Sequence, residues 1–146
     1  RVKKVEKYID KVQFMLTYGD GCIHPEEEIL ISFHTKQNRI GTITGVRPSS
    51  KYGAIRVEGS AVTEFKEKPV LDDYINGGFM VFKNEVFDEI KEDCMLVEKT
   101  LPNLAKNNQL SIYKHDGFWH CMDTYKDYLC LNEIWSSGKI PWRLWK

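Results

Sequence analysis

The sequence predicts an α/β domain, and three observations predict it. Residues 14–18 (Phe-Met-Leu-Thr-Tyr) and 79–82 (Phe-Met-Val-Phe) are continuous apolar runs of strand length. That is the pattern of strands buried on both faces of a parallel sheet. Amphipathic stretches of helical spacing alternate with such runs. Turn chemistry separates them, as in Gly19-Asp20-Gly21 and Asn76-Gly77-Gly78. A chain of 146 residues is long enough for one core. No repeat or low-complexity linker divides it, so the reading is one domain over residues 1–146.

Composition removes several functions. The formal net charge is zero, so no overall field recruits nucleic acid or an anionic membrane, and local basic groups must hold any bound phosphate. No apolar run approaches bilayer-spanning length and no signal-peptide pattern opens the chain. Cys22, Cys94, Cys121 and Cys130 are scattered without a C-x-x-C, which argues against a disulfide framework or structural zinc and for a reducing cytoplasm. The chain opens on Arg1 inside an amphipathic pattern and reads as a piece of a longer protein.

In order, residues 1–9, with Val2, Val5 and Ile9 apolar among Lys3, Lys4, Glu6 and Lys7, fit a surface helix missing its start. The strand through Tyr18 ends in Gly19-Asp20-Gly21, where the glycines permit a tight turn. Pro25 suits a first helical position, and Glu26, Glu27 and Glu28 favour the positive end of the helix dipole. Ile29, Leu30 and Phe33 are its expected buried face and Asn38 its end. Residues 40–46 are the next strand, giving β-α-β with a right-handed crossover if the strands are parallel. Residues 47–53 are loop; 54–57 and 61–65 form a hairpin over Glu58-Gly59. After the strand at 79–82, Val86, Phe87 and Ile90 suit a short helix. A further helix spans 100–107, with Thr100 as cap and Pro102 in the first turn. Residues 110–113 and 117–123 are strand-like, the latter ending in Asp123. Residues 125–135 form the last helix, and the tail Pro141-Trp142-Arg143-Leu144-Trp145 reads as packing or a subunit contact.

Asp20 and Asp123 each follow an apolar run. If both strands lie in one sheet, their carboxylates project at the same edge and can share Mg²⁺. The competing readings are plain turn chemistry for Asp20 and a helix N-cap for Asp123. Glu67-Lys68-Pro69 offers a sugar-hydroxyl acceptor beside a phosphate-binding cation, or else a solvated charge pair. Asn76-Gly77-Gly78 offers amide groups and room for close ligand approach, or else an ordinary bulge. His24, His34, His115 and His120 have no metal spacing and are read as structural.

Taken together, these motifs carry a resemblance. The order Leu16-Thr17-Tyr18-Gly19-Asp20-Gly21, Val46-x-Pro48, Tyr52-Gly53, Phe65-x-Glu67-Lys68-Pro69, Ile75-Asn76-Gly77-Gly78-Phe79 and Gly117-Phe118-Trp119-x-x-Met122-Asp123-Thr124 resembles the sugar-phosphate nucleotidyltransferases. Glu133-Ile134-Trp135-Ser136-Ser137-Gly138-Lys139-Ile140-Pro141-Trp142 is similar to the tail of their glucose-1-phosphate cytidylyltransferase subfamily. The resemblance runs over the whole chain. It implies a Rossmann-like three-layer fold with a mixed, mostly parallel sheet, N-terminally truncated, in which 1–146 is the C-terminal part of one domain and 124–146 its terminal helix and tail.

It also implies roles. Asp20 and Asp123 would hold a divalent cation, Mg²⁺. Lys68 would grip the phosphate of glucose 1-phosphate, Glu67, Asn76 and Gly77 would contact the sugar, and Tyr52-Gly53 would shape its pocket. The implied reaction joins CTP and glucose 1-phosphate into CDP-glucose and pyrophosphate, a step of nucleotide-sugar biosynthesis that needs no protein nucleophile. The alternatives are a uridylyl- or thymidylyltransferase, or a non-catalytic module of the same fold. The family's Gly-x-Gly-Thr-Arg loop, which cradles the triphosphate, has no counterpart in these 146 residues. The expectation is therefore that this chain alone does not turn over. Cys22-Ile23-His24 and Cys94-Met95-Leu96 also depart from the family pattern.

Overall fold

The computed structural model describes residues 2–24, 26–91 and 95–145. Its main sheet has four strands in the order β1-β6-β3-β7, formed by β1 (Gln13–Leu16), β6 (Ile75–Lys83), β3 (Gly41–Val46) and β7 (Leu110–Lys114). β1 and β3 both run antiparallel to β6, while β3 and β7 are parallel. Three of the four strands therefore point the same way, and the mixed α/β character of the fold is as expected. The expected parallel majority of pairings is not found among the described residues, because the reversed β6 sits between β1 and β3. For the same reason β1 and β3 flank a common neighbour and do not pair.

β1 is also not the doubly buried strand that its composition suggests. β6 is its sheet neighbour, and Met15 is 41% exposed. The strand buried on both faces is β6, whose Met80, Val81 and Phe82 are fully covered. Phe14 nevertheless packs inward, stacking on Phe87 at 5.2 Å between ring centroids. Met80 and Phe82 join Val86, Phe87, Ile90, Leu101 and Leu104 in one core cluster.

The helices cover this sheet. α1 (Glu27–Gln37) begins with two acids at its positive end and stops at Asn38, a left-handed C-cap with φ 50° whose N–H donates to His34 O. Pro25 lies outside the described residues. Leu30 and His34, four apart, share the buried face, and Phe33 packs edge-on against Tyr113 at 5.5 Å. Ile29 points outward and is 56% exposed, contrary to expectation, because one step along a helix turns the side chain about 100° away from Leu30. Burial holds the His34 imidazole pKa below its usual value, and its Nδ1 lies 2.8 Å from Thr42 Oγ1.

Other elements follow the expected order with local corrections. Val2–Tyr8 is a 3₁₀ helix with no buried residue. β4 (Ala54–Glu58) and β5 (Ala61–Lys66) form the hairpin, turning at Gly59 with φ 58°. α2 is Val86–Glu89 and α3 is Leu101–Lys106. Thr100 does not cap α3. It is already helical at the end of a π-turn over Leu96–Thr100, and its side chain is buried with no hydrogen-bond partner among the described residues. Residues 117–123 contribute β8 (Trp119–Cys121), which leaves the main sheet and pairs antiparallel with β2 (Gly21–Ile23). α4 (Tyr125–Ser136) ends before Gly138 at φ 73°, and the tail returns so that Trp142 packs on Phe118 at 5.3 Å. Cys22, Cys121 and Cys130 are free thiols; Cys94 lies outside the described residues. No described helix is long and apolar enough to cross a membrane.

Candidate functional site

β1, β3 and β7 all end at one edge of the sheet, and β6 begins there. Ligands of α/β folds bind outside the carboxyl ends of strands, so the loops at this edge are where chemistry is expected. Asp20 follows β1, the 47–53 loop follows β3, Asn76 and Gly77 open β6, and His115 follows β7.

The acids meet through the small ribbon and not through one parallel sheet. Asp20 immediately precedes β2, and Asp123 lies two residues past the end of β8. Antiparallel pairing, with Gly21 opposite Cys121 and Met122 N donating to Asp20 O at 2.8 Å, brings those two ends together. Ligand atoms of Asp20, Cys121 and Asp123 lie within 4.8 Å of one another, with both carboxylates exposed. The Gly-Asp-Gly corner needs no left-handed backbone: neither Gly19 nor Gly21 has positive φ.

Asp123 does not cap α4. Thr124 does, in a capping box whose hydroxyl and N–H both donate to Asp127 Oδ2, at 2.7 and 2.8 Å, while Asp127 N donates to Thr124 Oγ1 at 3.3 Å. Those Thr124 donors lower the Asp127 carboxyl pKa. Asp123 is free of the cap, and the thiol of Cys121 donates to its Oδ1 at 3.4 Å. Burial, then the Asp123 hydrogen bond and the neighbouring acids, push the Cys121 pKa up to about 11. Two exposed carboxylates with a protonated thiol alongside suit a hard divalent cation, which takes oxygen ligands and keeps waters or phosphate oxygens.

Beside the acids lies a cleft of about 920 Å³, lined among others by Arg47, Lys51, Tyr52, Trp119, Asp123 and Asp127. Tyr52 and Asp123 are thus brought to one cavity. Glu67 and Lys68 stand at the end of the exposed hairpin, paired with each other at 3.5 Å, and Lys68 has φ 46°. Gly53 allows Phe65 and Glu67 close to the loop, since a Cβ there would sit 2.7 Å from Phe65 Cζ and 3.2 Å from Glu67 Oε2. Asn76 Oδ1 accepts from Gly78 N at 3.0 Å, and Gly77 O accepts from Trp119 Nε1 at 2.9 Å.

Two features escaped sequence reasoning. Arg47 and Lys51 put cationic side chains on the cleft; Arg47 pairs with Asp116 at 2.9 Å and lies over the Tyr74 ring. A basic pair in the loop after a strand was the available signal. Behind the cleft, the buried His115 ring sets Nδ1 2.9 Å from Glu26 Oε2 and Nε2 3.1 Å from Phe118 O, and Tyr113 donates to the same Glu26 oxygen at 2.6 Å. The Tyr113 hydrogen bond leads in lowering the Glu26 pKa, and burial leads in raising that of Tyr113 to about 12. No spacing rule links residues 26, 113 and 115.

The sequence profile of the family described as "Nucleotidyl transferase" matches residues 2–136. A Bacillus subtilis (strain 168) protein named "Probable glucose-1-phosphate cytidylyltransferase" is 39% identical over 147 residues, covering 99% of this chain and 58% of that protein. The glucose-1-phosphate cytidylyltransferase of Salmonella typhi is 37% identical over 149 residues, covering 100% and 58%. The chain thus spans 58% of the length of these relatives. Among solved structures, HddC from Yersinia pseudotuberculosis superposes with a TM-score of 0.66 at 19% identity, over 92% of this chain and 60% of that one, a likeness of fold alone.

Proposed function

The chain belongs to the nucleotidyl transferase family, and from that premise we propose that it supplies the metal and sugar-phosphate side of a glucose-1-phosphate cytidylyltransferase. The reaction is CTP plus glucose 1-phosphate to CDP-glucose plus pyrophosphate. A phosphate oxygen of glucose 1-phosphate attacks the α-phosphorus of CTP, and the α–β bridging P–O bond breaks as pyrophosphate leaves. Gathering that many anionic oxygens demands positive charge, and positioning with charge neutralisation supplies most of the rate in such transfers.

The observation that carries this reading is the convergence of Asp20 and Asp123 beside a cleft that also holds Arg47, Lys51 and Tyr52. Asp20 and Asp123 would hold Mg²⁺, which supplies charge neutralisation for phosphate oxygens when bound. Lys68 takes the sugar phosphate, with Glu67, Asn76 and Gly77 on the sugar and Tyr52-Gly53 walling its pocket. Cytosine over uracil or thymine rests on the relatives' names, 37–39% identical to this chain.

Calorimetric titration of glucose 1-phosphate into the chain tests the proposal. Binding is expected with Mg²⁺ present and strong weakening on chelation. Adding CTP is expected to release no pyrophosphate, since these 146 residues hold no Gly-x-Gly-Thr-Arg. Absence of sugar-phosphate binding contradicts the reading of the cleft, and turnover contradicts the assigned division of labour.

A further inference from the structure

We propose that Trp119 is a positioning residue that fixes the sugar-facing Asn76-Gly77-Gly78 segment, an inference that rests on the sugar-phosphate reading above for its ligand but not for its geometry. The segment departs from regular sheet. Between Ile43 opposite Met80 and Gly45 opposite Asn76, the β3–β6 ladder slips by two residues. A strand that leaves its register gives up part of what holds it, so its backbone groups need other partners.

Each residue of the segment has such a contact. The Asn76 side chain accepts from Gly78 N at 3.0 Å. The indole of Trp119 donates to Gly77 O at 2.9 Å. A Cβ on the buried Gly77 would lie 2.9 Å from Val46 Cγ1, 3.1 Å from Thr44 O and 3.4 Å from the indole nitrogen, so the bare backbone is seated between β3 and Trp119. Gly78 takes φ 85° with the Tyr18 ring where a Cβ would be, at 2.7 Å. Tyr18 lies two residues before Asp20 and Trp119 four before Asp123. Both arms that carry the acids thus also grip the segment proposed to hold the sugar.

The indole is the arm that acts through a polar bond. Phenylalanine at this position keeps the aromatic body and loses the donor, leaving the Gly77 carbonyl without that partner. Because Trp119 is proposed to touch neither the cation nor the phosphate, its effect belongs on sugar-phosphate affinity and not on metal affinity.

The test compares the wild-type chain with W119F by three measurements. Glucose 1-phosphate affinity in Mg²⁺ is expected to fall roughly tenfold, the scale of one lost part-buried hydrogen bond. Mn²⁺ affinity is expected to stay unchanged. Hydrogen exchange at Gly78 N–H is expected to speed up roughly tenfold while exchange at the core residue Val81 holds, since local opening and global unfolding are separable. Equal sugar-phosphate affinity in the two proteins overturns the proposal, as does a parallel rise at Gly78 and Val81, which marks general destabilisation. If the wild-type chain binds no glucose 1-phosphate, the sugar-phosphate reading falls separately. Exchange then decides: unchanged Gly78 exchange in W119F overturns the positioning role, and a rise confined to Gly78 upholds it.

Discussion

The acid side and the lysine side of the site are built differently. Asp20 and Asp123 are joined by a three-residue ribbon, held to β6 by Trp119 within β8 and by Tyr18 just before the Gly-Asp-Gly corner. Glu67 and Lys68 end a hairpin whose Ile55, Val57 and Phe65 are each more than half exposed and whose ion pairs lie at the surface. Residues held by packing and buried hydrogen bonds are preorganised; residues held by surface ion pairs are not, because such pairs contribute little. The geometry is therefore fixed around Asp20 and Asp123 and adjustable at Lys68, to which the phosphate contact is assigned only by proposal.

The largest expected difference between these regions is in stability. Phe82→Ala, in the covered centre of β6, is expected to cost about 3–5 kcal/mol in denaturant unfolding. Phe65→Ala on the hairpin is expected to stay within about 0.5 kcal/mol. Similar costs would erase the distinction between a packed side and a loose one.

Next comes the Glu26–His115 pair behind the cleft. Glu26→Gln removes the carboxylate from a buried imidazole and is expected to cost about 1–3 kcal/mol. It also changes the pH dependence. The Glu26 carboxyl titrates lower in the folded chain than in the unfolded one, so between those two pKa values the unfolded chain binds more protons. Its contribution is complete above the unfolded value of about 4.3 and is lost as pH falls through the folded value. Unfolding curves across that acid range should show a shallower loss for E26Q than for the wild type.

The smallest stability effect is expected at Lys68. Its partner Glu67 is 63% exposed, so Lys68→Ala should change stability by less than about 0.5 kcal/mol while weakening glucose 1-phosphate binding. A large loss of stability with unchanged binding would reverse the roles assigned to this side.

Much of this was legible in the sequence, and the failures share a cause. Apolar runs and turn residues located β3, β6, β7, the hairpin and α4, because period and punctuation are local signals. Pairing is not local. Nothing in residues 14–18 says that their neighbour is a reversed strand from 75–83, or that residues 21–23 leave the sheet to meet 119–121. The convergence of Asp20 and Asp123 was anticipated for a shared sheet and arises from a separate ribbon. Trp119, Arg47 and His115 were passed over because their significance lies in what they touch across the fold. Ile29 failed for a smaller reason, since an isoleucine beside the buried stripe has the same composition as one within it.

The central claim is that Asp20 and Asp123 together hold one divalent cation. Titrating Mn²⁺ into the wild-type, D20N and D123N chains, with bound ion followed by electron paramagnetic resonance, tests it most directly. The account predicts one site in the wild type, weakened tenfold or more, as an order of magnitude, by either substitution, with unfolding midpoints little changed. Equal Mn²⁺ affinity in all three chains would contradict it.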